Sequence, residues 1–133
     1  MCAGTCLFVE RPAYNSVLQG LADKDGKVCV GNGSTPKVHV GPIISERQLE
    51  RVIGFIKSGY EAGAQVAAGG QRVGGELGQG YFLAPTIFIY QNDNLEIIKY
   101  KIFGLVAAVT AFDEWDELVS RANLTCYRLV AGV

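Results

Sequence analysis

Four cysteines and a single histidine are the residues of this 133-residue chain best suited to covalent or metal chemistry. Cys2 and Cys6 form a C-x3-C pair at the start, while Cys29, Cys126 and His39 are scattered. Zinc needs further ligands at close spacing, which this arrangement does not offer. A thiol nucleophile needs a base beside it, and none adjoins Cys2 in the sequence. Cys6, Cys29 and Cys126 read as small buried or surface thiols, and His39, between Val38 and Val40, as a structural or exposed histidine. The glycine-rich stretch from Gly69 to Gly80 invites a phosphate-binding reading. A phosphate cradle leads straight into a helix N-terminus, however, and here an extended stretch follows, so the segment reads as a surface hairpin-like loop. The carboxylates Asp113, Glu114, Asp116 and Glu117 bunch at a predicted helix start, where they suit the positive end of the macrodipole. Lys99, Lys101 and Arg121 make no evident pair with them.

The elements that must position these groups follow from spacing. Thr5 to Glu10 is a short apolar run suited to a strand. Pro12 then opens a helix whose apolar face is Tyr14, Val17, Leu18 and Leu21, at i, i+3, i+4 and i+7. A short extended piece, Lys27 to Val30, precedes the loop Gly31-Asn32-Gly33-Ser34. Ser45-Glu46-Arg47-Gln48 is a capping box, in which the serine oxygen accepts from the Gln48 N–H and the glutamine side chain reaches back. Ile44 and Leu49 are spaced for a hydrophobic staple. Leu49, Val52, Ile53, Ile56 and Tyr60 line one face of the helix, which Gly59 or Gly63 can end. Ala64 to Ala68 reads as a strand; Tyr81 to Tyr90 is extended and broken at Pro85, as on an edge strand or at a bulge. Ile102 to Phe112 is apolar on both alternating sets, as in a strand covered on two faces. Asp113 caps a last helix with Trp115, Leu118, Val119 and Ala122 inward, and Arg128 to Val133 is a final apolar strand.

Strands alternating with amphipathic helices define an α/β fold, a mostly parallel sheet with flanking helices. Hydrophobic residues make up 49% of the chain and charged residues 19%. That balance predicts one globular domain over residues 1–133. A net charge of −1 gives no attraction to nucleic acid or to an anionic membrane surface. Neither a secretory signal nor an apolar run of membrane-spanning length is visible, so a soluble cytoplasmic protein is expected. An ending within an apolar strand leaves a sheet edge unprotected. That predicts a chain belonging to something larger, by truncation or by association.

Several ordered motifs resemble those of aldehyde dehydrogenases. Asn94 to Leu105 contains Tyr100-Lys101-Ile102-Phe103-Gly104-Leu105, similar to that family's Glu-Glu-Ile-Phe-Gly-Pro. Met1-Cys2-Ala3-Gly4-Thr5-Cys6 is similar to Cys-x-Ala-Gly-Ser/Thr-Arg, and Val40-Gly41-Pro42-Ile43-Ile44-Ser45 to the Met-Gly-Pro-Leu-Ile-Ser before the long helix. Gly69-Gly70, Gly80-Tyr81-Phe82, Pro85-Thr86 and the segment from Ala122-Asn123 to Ala131-Gly132-Val133 match further landmarks in register. The resemblance implies part of the catalytic domain, from the nucleophile position onward, and the family reaction, NAD(P)-dependent oxidation of an aldehyde to a carboxylic acid.

The departures imply that this chemistry is lost. Met1 stands at the nucleophile position, and a thioether cannot be deprotonated to attack a carbonyl. Cys2 falls one residue beyond it, an offset that near-attack geometry does not forgive. Lys101 stands where the family's second glutamate bonds the nicotinamide-ribose hydroxyls, and it replaces acceptors by donors. Phe103 keeps the position of a ring near that ribose; by itself it reads as core or hydrophobic surface. Cys6 and Arg128 replace an arginine and a glycine of the pattern. The general base, the oxyanion-hole asparagine and most of the cofactor-binding domain lie upstream of the matched region. The expectation is therefore a truncated catalytic-domain homologue that binds no cofactor and has no independent activity. Two alternatives stand beside it: a module that self-associates or covers its apolar surface with a partner chain, and a residual thiol esterase acting through Cys2.

Overall fold

The computed structural model describes residues 5–91, 93, 95–100, 102–124 and 132. Strand β1 (Cys6–Glu10) runs directly into helix α1 (Arg11–Asp25), which has Pro12 in its first turn, where no backbone donor is wanted. Helix α2 (Glu46–Glu61), strand β2 (Gln65–Ala68), a short 3-10 turn (Gly75–Gln79) and strand β3 (Thr86–Ile89) follow. The one-turn helix α3 (Glu96–Lys99), strand β4 (Val106–Phe112) and helix α4 (Trp115–Ala122) complete the described chain. The strand expected over 128–133 falls, apart from Gly132, outside the described residues.

The sheet has the order β1-β4-β3-β2, with β4 parallel to both neighbours and β2 antiparallel to β3. Alternation along the strands divides the core. Phe88, Val106 and Ala108 face α2 and pack with Leu49, Val52 and Ile56. The intervening Val9, Ile87 and Val109 face the other way, onto Tyr14, Val17, Leu18 and Leu21 of α1. This is the expected α/β architecture, a sheet with a helix on each side. Burial of β4 on both faces accounts for its unbroken apolar sequence, although the strand begins at Val106 and not at Ile102.

Glycines settle how α2 meets the sheet. Gly63 has φ +85°, and the N–H groups of Gly63 and Ala64 donate to the carbonyls of Tyr60 and Gly59, a Schellman ending. Gly59 lies inside the helix, where an added Cβ would stand 3.0 Å from Cζ of Phe88. Its missing side chain lets the Phe88 ring lie flush against the helix.

Several local expectations are corrected. Ile44 is 92% exposed and makes no staple; Ile43, whose N–H donates to the Tyr81 carbonyl, packs on the core instead. Pro85 marks neither an edge strand nor a bulge of its own strand. It ends just before β3, an interior strand, and the register shift lies opposite, between Val66 and Ala68 of β2. Asp113 does not cap α4; Glu114 holds that position without a side-chain bond, and Asp113 pairs with Arg11. The predicted inner face of α4 is largely uncovered, with Trp115 59% and Val119 57% exposed and no residue of the helix fully buried.

What ties α4 to the sheet is polar. The Arg121 side chain, 13% exposed, donates to both carboxylate oxygens of Asp93, to Glu117, to the Thr110 hydroxyl and to the Ala111 carbonyl. Its guanidinium also lies 5.5 Å from the ring centre of Phe8, within reach of a cation–π attraction. The pairing of Arg121 with Glu117 was open to reading from their i, i+4 spacing; that with Asp93 was not.

Candidate active site

Parallel pairing decides which chain segments become neighbours. Because β1 and β4 run side by side in register, with Cys6 opposite Ala108, Thr5 at the entry of β1 and the loop before β4 lie at the same end of the sheet. The Ala108 N–H donates to the Thr5 carbonyl at 2.7 Å, and the Thr86 N–H to the Leu105 carbonyl at 2.7 Å. Residues 102–105 are thus held between the entries of β1 and β3. Met1, Cys2 and Lys101 lie outside the described residues.

Helix α2 shapes the loop before β4. Ile102 is buried in the core beside it, and Gly104 meets Val52 so closely that an added Cβ would stand 2.7 Å from a valine methyl. Gln48 does not reach back to its own helix start as a capping box requires. The Ser45 oxygen does accept from the Gln48 N–H at 3.3 Å, but the glutamine Nε2 donates to the carbonyls of Ile102 at 3.1 Å and Phe103 at 3.0 Å. Further along α2, Ser58 Oγ donates to Glu96 Oε2 at 2.9 Å, and the rings of Phe55 and Tyr100 lie 6.4 Å apart.

Phe103 sits between these anchors with φ 55°. That is a left-handed backbone, an outlier for a bulky residue. Holding a non-glycine residue there costs about 1–3 kcal/mol, and two hydrogen bonds from Gln48 return roughly 0.5–1.5 kcal/mol each. The ring is 63% exposed, so of the two readings open for it, hydrophobic surface is the one found. A left-handed backbone and an exposed aromatic ring thus stand together at the end of the sheet where β4 begins.

Burial pushes the Cys6 thiol up, against a weaker hydrogen bond involving Thr5, so it is a poor nucleophile. Cys29 is exposed, and its N–H donates to His39 Nδ1 at 3.0 Å while the His39 N–H donates to the Cys29 carbonyl, a local structural tie. Among the described residues, no cluster of three or more His, Cys, Asp or Glu could hold a metal, and no helix is long and apolar enough to cross a membrane. The glycine-rich loop is hairpin-like, with Arg72 paired to Leu83 and its guanidinium donating to the Gly80 carbonyl.

An open recess, of about 560 Å³, lies at the other end of β1 and β4 among Glu10, Arg11, Pro12, Phe112, Asp113 and Glu114. Arg11 and Asp113 form a two-pronged ion pair across it. The Arg11 guanidinium holds the Asp113 carboxyl below its ordinary value, and the Asp113 N–H followed by Arg121 does the same for Glu117. These bonds keep the carboxylates ionised and engaged, which suits a structural part and not proton transfer.

By sequence, position 101 does not fit a dinucleotide ribose in the manner the resemblance implies. A ribose diol donates two hydrogen bonds and needs acceptors. The side chain at position 101, where the resemblance implies a carboxylate acceptor, is a lysine, which offers donors only.

Fold and site together define a layered α/β unit that brings an aromatic loop and the entry of its neighbouring strand to one end of the sheet. Residues 1–133 match the sequence profile of the aldehyde dehydrogenase family, and the chain belongs to that family. It is 38% identical over 131 residues to a betaine aldehyde dehydrogenase of Vibrio vulnificus, a match covering 98% of this chain and 27% of that protein. A solved structure of an aldehyde dehydrogenase variant from Bacillus cereus superposes with a TM-score of 0.92 at 40% identity, covering 98% of this chain and 26% of that one. A betaine aldehyde dehydrogenase of Staphylococcus aureus, solved in complex with NAD+, superposes with a TM-score of 0.88 at 27% identity over 92% of this chain and 25% of that one. The chain thus spans about a quarter of the length of these relatives.

Proposed function

We propose that this chain supplies catalytic-domain structure of the aldehyde dehydrogenase type, and that the 133-residue polypeptide on its own does not carry out the family reaction. That reaction is the NAD(P)-dependent oxidation of an aldehyde to a carboxylic acid. The observation that carries the family half of the reading is the parallel pairing of β1 with β4, which sets the Phe103 loop beside the entry of β1. The inactive half is supported by chemistry: Met1 at the position of the nucleophilic thiol has no acidic proton, and Lys101 at the ribose-binding position has no acceptor.

The purified chain is expected to produce no NADH from short-chain or aromatic aldehydes, and its melting temperature is expected not to rise on adding NAD or NADP. Saturable NADH formation, followed by its absorbance, would overturn the inactive half. An activated ester provides a companion assay, since hydrolysis abolished by Cys2→Ser would show residual thiol chemistry.

A second reading, self-association or binding of a partner chain, is favoured by the apolar side of α4. Trp115 and Val119, one turn apart, and Leu124 just beyond the helix are all more than half exposed. Uncovered apolar surface of this kind is commonly closed by association. Light scattering across a dilution series is expected to show a species larger than the monomer that dissociates on dilution. A monodisperse monomer throughout counts against it.

A further inference from the structure

We propose that Gln48 is the positioning residue of this site: by donating both hydrogens of one amide to the carbonyls of Ile102 and Phe103, it holds Phe103 in its left-handed conformation and sets where the ring stands. The inference deepens the family reading only in treating the loop as part of the site; its structural content stands apart from any activity.

The geometry carries it in three steps. Successive carbonyls of an extended chain point to opposite sides, so one nitrogen cannot reach both. Gln48 Nε2 reaches the Ile102 carbonyl at 3.1 Å and the Phe103 carbonyl at 3.0 Å, which requires the backbone to turn at Phe103 so that both oxygens face α2. The turn takes the left-handed form, φ 55°, and the next residue is Gly104, packed against Val52 where a side chain would collide. Phe103 is thereby carried outward while Ile102 stays in the core. Gln48 itself is fixed in the first turn of α2, where Ser45 accepts from its backbone N–H. The loop is therefore referenced to the helix frame, one turn before Val52, and not merely to the sheet.

The function lies in donor chemistry and not in side-chain bulk, so variants at one position separate the two. The test follows, on the labelled full chain, the strong intraresidue amide-to-α-proton NOE that a positive φ produces at Phe103. The parent is expected to show it unchanged between pH 7 and mildly acid conditions. Gln48→Leu keeps bulk without donors and is expected to lose it. Gln48→Lys keeps donors within reach and is expected to retain it. Gln48→Glu at pH 7 presents a carboxylate to two carbonyl oxygens and is expected to lose the signal. It should regain part of it as the pH falls through the side chain's own titration, which the facing carbonyls push above the usual value of about 4.3, because a protonated carboxyl carries one O–H donor for two carbonyls.

Retention of the full signal in Gln48→Leu with the sheet intact would overturn the proposal. So would its equal loss in the lysine variant and in the glutamate variant at every pH, because that pattern marks shape alone. If Gln48→Leu does not fold, the pH response of Gln48→Glu against the lysine variant decides the matter. None of these outcomes depends on NADH formation, so failure of the positioning proposal and failure of the family reading are told apart.

Discussion

Replacing Gly69 by alanine is expected to destabilise the fold by roughly 3 kcal/mol or more. Gly69 lies just past the end of β2 with φ 71°. An L side chain there is strained by about 1–2 kcal/mol. The larger effect is collision. An added Cβ would overlap the Pro85 carbonyl oxygen and stand 2.7 Å from its carbon, and both atoms are backbone at the entry of β3. That backbone cannot retreat, because the Thr86 N–H is committed to the Leu105 carbonyl and Thr86 Oγ1 accepts from the Gly70 N–H. Gly70, at φ 85°, provides an internal comparison. Its added Cβ would meet the Tyr60 hydroxyl, the far end of a half-exposed side chain that can swing aside, so Gly70→Ala is expected to cost less. Gly74→Ala, with open space around it and an ordinary φ of -91°, is expected to be near neutral. Urea denaturation of the three variants checks the order; a Gly69→Ala midpoint equal to that of Gly74→Ala would refute the collision argument.

Loss of the Arg121 side chain is the second large effect. Arg121→Ala is expected to cost about 2–4 kcal/mol, because it strands the Asp93 carboxylate and the buried Thr110 hydroxyl without their donor. Glu117 adds less to this total, being partly exposed to solvent. Arg121→Lys should recover only a part, since an ammonium cannot meet both oxygens of Asp93 in parallel while also serving Thr110 and Ala111. Arg121→Met keeps most of the stem and separates packing on Phe8 from hydrogen bonding. A double-mutant cycle with Asp93→Ala is expected to give a coupling of about 1–3 kcal/mol. Hydrogen exchange adds a local check. Helix α4 has no fully buried residue, so its amides are expected to lose protection in Arg121→Ala while those of α2 keep theirs. Uniform loss across both helices would place the arginine's role in the whole fold and not in docking α4.

Both effects arise from contacts that spacing along the chain does not display. Gly69-Gly70 is visible as a motif, but the reason for it is a crossing with Pro85, which comes near only after the β2–β3 hairpin closes. Arg121 sits at i+4 from Glu117, yet its stronger partner Asp93 is far back along the chain, before α3. The same holds at the candidate site. Gln48 stands at the right position for a capping box, and a single turn of helix would have satisfied it. Two carbonyls of the distant loop before β4 take its donors instead. Asp113 likewise stands where a cap is useful, but a guanidinium delivered by α1 outcompetes the bare N–H groups of the next helix. Ile43 rather than Ile44 turns inward because a bond to Tyr81 orients the chain as it approaches α2.

Periodicity alone determined the α/β class, the helices following Glu10 and Ser45, the inward faces of α1 and α2, and a central strand apolar on both sides. Those features depend on which side of a local element is apolar, and that is written within a few turns of neighbouring sequence. Motif order along the chain determined the family. The tertiary structure decided the rest: that β1 lies against β4, so Cys6 stands opposite Ala108, that Phe103 is turned outward on a left-handed backbone, and that Gln48 holds it. Strand order and polar partners are long-range choices among donors and acceptors of similar strength. Packing selects among them only when the whole sheet is assembled.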